Sequence, residues 1–145
     1  MKALRIVIAA LVLLPGVSLA QQRLGASPQP EKGFEEVHIS KAALAGKEIR
    51  VWAAQMIDPA CNATGSMDTQ ILQTPKHGEA RVSDEPFFGA FSEGNARYHC
   101  NSQKSPGRQV LYRSAPDFHG HDKLVLQNST SEGRIRNWVV DIDVR

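Results

Sequence analysis

The stretch that decides the fold is Leu111-Tyr112-Arg113-Ser114-Ala115-Pro116-Asp117-Phe118-His119-Gly120-His121-Asp122-Lys123-Leu124-Val125-Leu126. It reads as strand, sharp corner, strand. Val110 and Tyr112 keep a period of two, Pro116 to Gly120 supply turn chemistry around a single aromatic, and Leu124 and Leu126 resume the period. In this reading Phe118 plugs the core, Gly120 relieves the turn, and the Asp122 carboxylate accepts backbone hydrogen bonds that hold the corner.

Upstream and downstream the same short alternations recur. Phe34 to Ser40 places Val37 and Ile39 on one face and Glu36, His38 and Ser40 on the other, as a half-buried strand requires. Ala42 to Lys47 suits one helical turn or a loop. Glu48 to Gln55 holds Ile49, Val51 and Trp52, whose β-branched and aromatic side chains fit a pleated surface. Met67 to Thr74 is a third strand, and Pro75-Lys76-His77-Gly78 turns it into a hairpin with Ala80 and Val82. Asn128 to Gly133 is a turn. In the last strand Trp138, Val140, Ile142 and Val144 share a face, while Val139 on the other side predicts an outer face that is partly covered. No later segment has sustained helical periodicity. About seven short strands separated by turn signals predict an all-β chain, an antiparallel β-sandwich.

The first twenty residues have a different character. Lys2 and Arg5 precede an apolar run from Ile6 to Leu14, a Pro15-Gly16 break and a small-residue site at Ser18-Leu19-Ala20. This is the pattern of a cleaved signal peptide, residues 1–20, and it predicts a periplasmic or secreted protein. The run is about half of the ~20 residues that span a bilayer, so no membrane insertion is expected. The residue immediately after Ala20 is Gln21 rather than a cysteine, which argues against a lipid anchor. Residues 21–33, rich in Gln, Pro, Ser and Gly, are expected to form a flexible arm before a single domain over 34–145.

Cleavage leaves a balanced chain. Of the 17 Lys and Arg, two lie in the leader, so the remaining fifteen match the 15 Asp and Glu. Basic residues are scattered, and no nucleic acid partner is expected. Two cysteines remain, Cys61 and Cys100, and in an oxidising compartment a disulfide is the leading reading. Closing such a loop would stabilise the fold by about 4 kcal/mol through chain entropy. A thiolate metal site would need histidines to complete it.

Asp84 to Gly107 is the least regular part, and Phe87, Phe88 and Phe91 fall within five residues of it. Such a loop is either pinned over a satellite apolar cluster by Cys100 or carries an exposed interaction patch. The first is favoured, since a soluble monomer seldom leaves three phenylalanines in water.

With these residues in view, the chain resembles the bacterial Ig-like, cadherin-like domains found as repeats in surface proteins. The resemblance rests on Pro75, His77 and Gly78 of the hairpin turn, Tyr112 at the strand end, and Phe118, Gly120 and Asp122 of the corner, and it covers about Ile71 to Val144. More closely, the chain is similar to small single-domain exported proteins of alphaproteobacteria with one cysteine on each side of that hairpin. The resemblance implies the sandwich, the Cys61 to Cys100 disulfide and a periplasmic address, and it assigns no activity. Leu126 stands where the repeats often carry an aromatic, and the Phe87, Phe88, Phe91 cluster is this chain's own.

Chemistry-bearing residues are present without a catalytic pattern. There is no Gly-x-Ser-x-Gly elbow, no His-Glu-x-x-His and no phosphate-cradling glycine loop, so no enzyme and no cofactor are expected. A transition-metal site built from His99, His119 and His121 is the alternative reading. Calcium is disfavoured because no acidic loop gathers six to eight oxygens. Asn62-Ala63-Thr64 and Asn128-Ser129-Thr130 match the glycosylation pattern and are read as turn sequences. Trp52 and Trp138 are read as core anchors rather than a sugar platform. The expectation is therefore an exported binding or structural module with an unknown protein partner, met through a sheet edge or through the Phe87, Phe88, Phe91 loop.

Overall fold

The computed structural model describes residues 34–145; the expected signal peptide and the 21–33 arm lie outside the described residues. Seven strands of six residues or more form the body: β1 (Glu35–Ala43), β2 (Glu48–Ala54), β3 (Met67–Gln73), β4 (Gly78–Ser83), β7 (Arg108–Ser114), β8 (Gly120–Thr130) and β9 (Ile135–Val144). Between β4 and β7 the irregular loop holds two two-residue strands, β5 (Phe87–Phe88) and β6 (Lys104–Ser105), which pair antiparallel, and a 3-10 turn at Tyr98–Ser102.

The long strands make two sheets, ordered β1-β9-β8-β3 and β2-β7-β4. Counted in chain order, the second, fifth and fourth long strands form one sheet and the first, seventh, sixth and third form the other. Apart from the first strand, that is the strand order of an Ig-like sandwich. β1 departs from the antiparallel expectation: it lies parallel to β9, from Glu35 opposite Arg136 to Ala43 opposite Val144. A parallel neighbour is possible because the whole body of the sandwich separates the two strands in the chain and serves as the crossover. β1 covers the edge that β9 would otherwise present to solvent.

The core lies between the sheets. Val51 and Trp52 of β2 and Val110 and Tyr112 of β7 face Leu124 and Leu126 of β8 and Val140, Ile142 and Val144 of β9. Leu124 and Leu126 are fully buried, each stabilising the fold by about 2 kcal/mol relative to exposure. Two successive residues, Val51 and Trp52, point inward because the β2–β7 register shifts between Arg50 and Trp52. Such a bulge bends the strand and breaks the alternation that its sequence would otherwise impose. Val139 is also buried, between His38 of β1 and Val125 of β8, so the outer face is covered where its pattern predicts.

Candidate functional site

Two ends of the sandwich carry polar chemistry, and they differ in kind. At the start of β8, the Asp122 carboxylate is buried and fully engaged. Its Oδ1 accepts the N–H groups of Lys76 and Lys123, both at 2.9 Å, and its Oδ2 accepts the His77 N–H and the Tyr112 hydroxyl, both at 3.0 Å. Burial opposes its ionisation, but these four donors outweigh burial and hold the carboxyl below its ordinary value. The Tyr112 phenol is pushed far upward by burial, by its bond to Asp122 and by that residue's charge. A group so thoroughly tied is structural.

The carboxylate therefore reaches beyond its own corner. It clamps the turn between β3 and β4 onto β7 and β8, joining the two sheets. Gly78 begins β4 in that turn because a Cβ there would stand 2.4 Å from the Arg113 carbonyl oxygen and 2.9 Å from the Ser114 Cα. Gly120 adopts φ +130°, a conformation open to glycine. Phe118 is only partly buried: it packs on the core rim and stacks flat on the His77 ring, centroids 4.1 Å apart. It caps the corner rather than plugging the core, because the chain leaves the sheet after Ser114, before reaching it.

His119 and His121 flank this same corner, exposed, with His121 Nδ1 3.8 Å from Asp143. The loop holding His99 packs near the far end of the 11-residue β8, roughly 30 Å away at ~3.3 Å per residue. The three histidines do not converge. Among the described residues, the metal-capable group that includes His99 consists of Cys61 and Cys100. Both sulfurs are spent in the disulfide, which leaves no thiolate to ligate.

That disulfide organises the other end. Cys61 and Cys100, Cα atoms 5.6 Å apart, join the loop after β2 to the 3-10 turn. Cys61 sits in a tight turn at φ +67°, held by its N–H to the Asp58 carbonyl and by the Asn62 N–H to the Asp58 carboxylate. Around the bridge, Ile57 and Phe91 make a satellite cluster. The Asn101 side-chain amide accepts from the Phe91 N–H at 2.9 Å and donates to its carbonyl at 2.8 Å, fixing that phenylalanine.

The three phenylalanines part company. Phe87 is buried beneath the Arg50 guanidinium, 4.9 Å from the ring centroid, and the Gln55 amide bonds both the Phe87 and the Ser105 carbonyls at 3.0 Å. Phe91 is partly buried on the disulfide. Phe88 is 51% exposed, under the Lys104 ammonium, and Tyr98 on the adjoining turn is 49% exposed. Packed and exposed aromatics thus coexist on this loop, because strand β5 sends successive side chains to opposite sides.

Beside this loop a cleft of about 470 Å³ opens between the ends of the sheets. Its walls include Trp52 and Trp138, in edge-to-face contact at 6.0 Å, the guanidinium-bearing Arg97, Arg134 and Arg136, and Thr130. Trp52 is a core anchor, as read from its strand, and both tryptophans also reach this cleft. Arg97 donates through Nε to the Ile57 carbonyl, and Arg136 pairs with Glu35, Nε to Oε2 at 3.0 Å. Sequence reasoning missed the arginines. The signal was the period of two: Arg134, just before β9, and Arg136 and Trp138 within it recur at alternate positions.

No protein-family model and no curated protein sequence matches the chain. Among solved structures, the solution structure of amebosin aligns with a TM-score of 0.40 and 9% identity, over 78% of this chain and 99% of that one. A 2,6-sialyltransferase of Vibrionaceae Photobacterium sp. JT-ISH-224, crystallised with CMP and lactose, aligns with a TM-score of 0.38 and 11% identity, over 78% of this chain and 18% of that one. Likeness at this level carries no argument about fold or function.

Proposed function

We propose that the protein is an exported, Ig-like binding module of the cadherin-like kind, that it works in the periplasm or outside the cell without catalysis, and that it meets a protein partner through Phe88 and Tyr98. One observation carries this reading. Two of the three exposed aromatic side chains among the described residues stand on one disulfide-pinned loop, while Phe87 beside them is buried and Phe91 is partly buried. Exposed aromatics on a rigid support are the residues that dominate protein interfaces. The sheet edges suit the role less. Of the four edge strands, β2 and β3 carry bulges, at Val51 and Leu72, β4 presents Glu79 and Arg81, and β1 presents Glu36 and Lys41, features that discourage strand addition.

The test separates the two sides of the loop. Phe88→Ser with Tyr98→Ser is expected to leave stability within about 0.5 kcal/mol, whereas Phe87→Ser costs about 3 kcal/mol. Crosslinking capture from the envelope of the native organism, with the wild type and the doubly substituted protein in parallel, is expected to retain a partner only in the wild type. Equal capture by both proteins would sink the proposal, as would a large loss of stability on replacing Phe88 and Tyr98.

A further inference from the structure

We infer that the cleft walled by Trp52 and Trp138 is a binding site for a small organic anion carrying a flat ring. Phe88 and Tyr98 are not among its lining residues, so this site is separate from the protein-binding surface proposed above.

Three observations converge on that ligand. The first is shape: about 470 Å³ falls in the range of small-molecule sites, and the Trp138 indole, backed by the buried Trp52, offers apolar surface to a ring. The second is charge. Three guanidinium groups and one carboxylate, Glu132, line the cleft. Arg136 is committed to Glu35, but neither Arg97 nor Arg134 has an ion pair among the described residues, and Glu132 has none either. The bond from Arg97 Nε to the Ile57 carbonyl orients that guanidinium, and a planar fork matches a carboxylate or a phosphate through two parallel bonds.

The third observation is an incomplete hydrogen-bond count. Among the described residues three buried side-chain polar atoms lack a partner, and two of them, Trp138 Nε1 and Thr130 Oγ1, belong to residues of this cleft. An indole N–H can only donate, so its missing partner is an acceptor. A buried donor left unpaired costs about 1–3 kcal/mol. An acceptor-rich ligand that reaches the indole N–H recovers that cost, which a purely apolar ligand cannot do. The nearly balanced charge of the chain argues against a polyanion, whose binding draws on many cations; a single anionic group needs only these few.

The chain supplies its own reporter, because it contains two tryptophans and both wall the cleft. Intrinsic fluorescence is followed while the protein, lacking its first twenty residues, is titrated with phenylacetate, phenyl phosphate and the neutral phenylacetamide. One or both anions are expected to change the emission saturably with Kd at or below about 1 mM. The amide should bind at least tenfold more weakly. Arg134→Gln, at an exposed position that leaves folding intact, should weaken the anion by about tenfold, and Trp138→Phe, which keeps a ring and removes the donor, by several-fold. Saturation by the carboxylate but not the phosphate, or the reverse, identifies the anionic group. Three results overturn the inference: no saturable change with either anion up to about 10 mM, equal binding of the amide, or unaltered affinity in Arg134→Gln.

Discussion

Replacing Asp122 by Asn tests whether the corner is held by a charge or merely by shape. The carboxylate receives four donors, two on each oxygen. An amide offers one oxygen and turns the other position into a donor. Its better placement keeps oxygen toward Lys76 and Lys123, so that the Tyr112 hydroxyl can rotate to accept, and the His77 N–H is left facing an NH2. One unpaired buried donor costs about 1–3 kcal/mol, and the remaining bonds lose charge assistance worth roughly half a kcal/mol each, so the expected loss is about 3 kcal/mol. At ~4 °C per kcal/mol for a domain of this size, the melting temperature should fall by about 12 °C at pH 7. Because the folded-state pKa of Asp122 is lowered, its contribution is present above the ordinary carboxyl value near 3.9 and is lost as pH falls through the folded value. The gap between wild type and variant should therefore narrow as the pH drops below about 3.9. Thermal melts by circular dichroism across pH 2 to 7 decide the matter. A variant melting within about 2 °C of wild type at pH 7, or a gap that does not change with pH, would refute the account.

Other substitutions probe the two constraints that frame the sandwich. Replacing both Cys61 and Cys100 by Ala opens a bridge between residues 39 apart in sequence and is expected to cost about 4 kcal/mol in urea unfolding. The denaturant slope should steepen, because the unbridged unfolded chain exposes more surface. Gly78→Ala forces a methyl against the Arg113 carbonyl and should lower stability by about 2 kcal/mol, whereas Gly94, with open space around it, should accept Ala without loss. Equal tolerance at the two glycines would show that the close approach at Gly78 is not a constraint.

Local patterns made most of the architecture legible. The period of two located five of the seven long strands, strand-forming side chains located β2 and β3, and turn chemistry located the hairpin at Pro75 to Gly78, because these signals lie within a few residues of one another. Boundaries moved where pairing decided them: β8 runs on to Thr130 because β3 and β9 both continue beside it, and β1 runs on to Ala43 along β9. What could not be read is non-local. The parallel seat of β1 on β9 joins segments about a hundred residues apart. Two of the four partners of Asp122, Lys76 and His77, lie on another turn, and the alternative meeting of His99 with His119 and His121 fails because the length of β8 separates them. The bulge at Val51 likewise depends on register with β7, which no window within β2 contains.

The same geometry explains why chemistry and structure exchange places in this chain. The corner from Pro116 to Asp122 concentrates the residues that look reactive, yet their roles are mechanical, since Asp122 clamps a turn and Phe118 stacks on His77. An ion whose four acceptor positions are filled by N–H and O–H donors has nothing left to offer a ligand. At the other end the composition looks unremarkable, but donors and cations lack partners: Trp138 Nε1 and Thr130 Oγ1 are unpaired, and Arg97 and Arg134 make no ion pair among the described residues. Folding satisfies polar groups wherever it can, since each omission costs free energy. Unspent hydrogen-bonding capacity beside an open cleft is therefore a stronger pointer to function than a density of titratable side chains, and in this chain it directs the search to the disulfide-bound end.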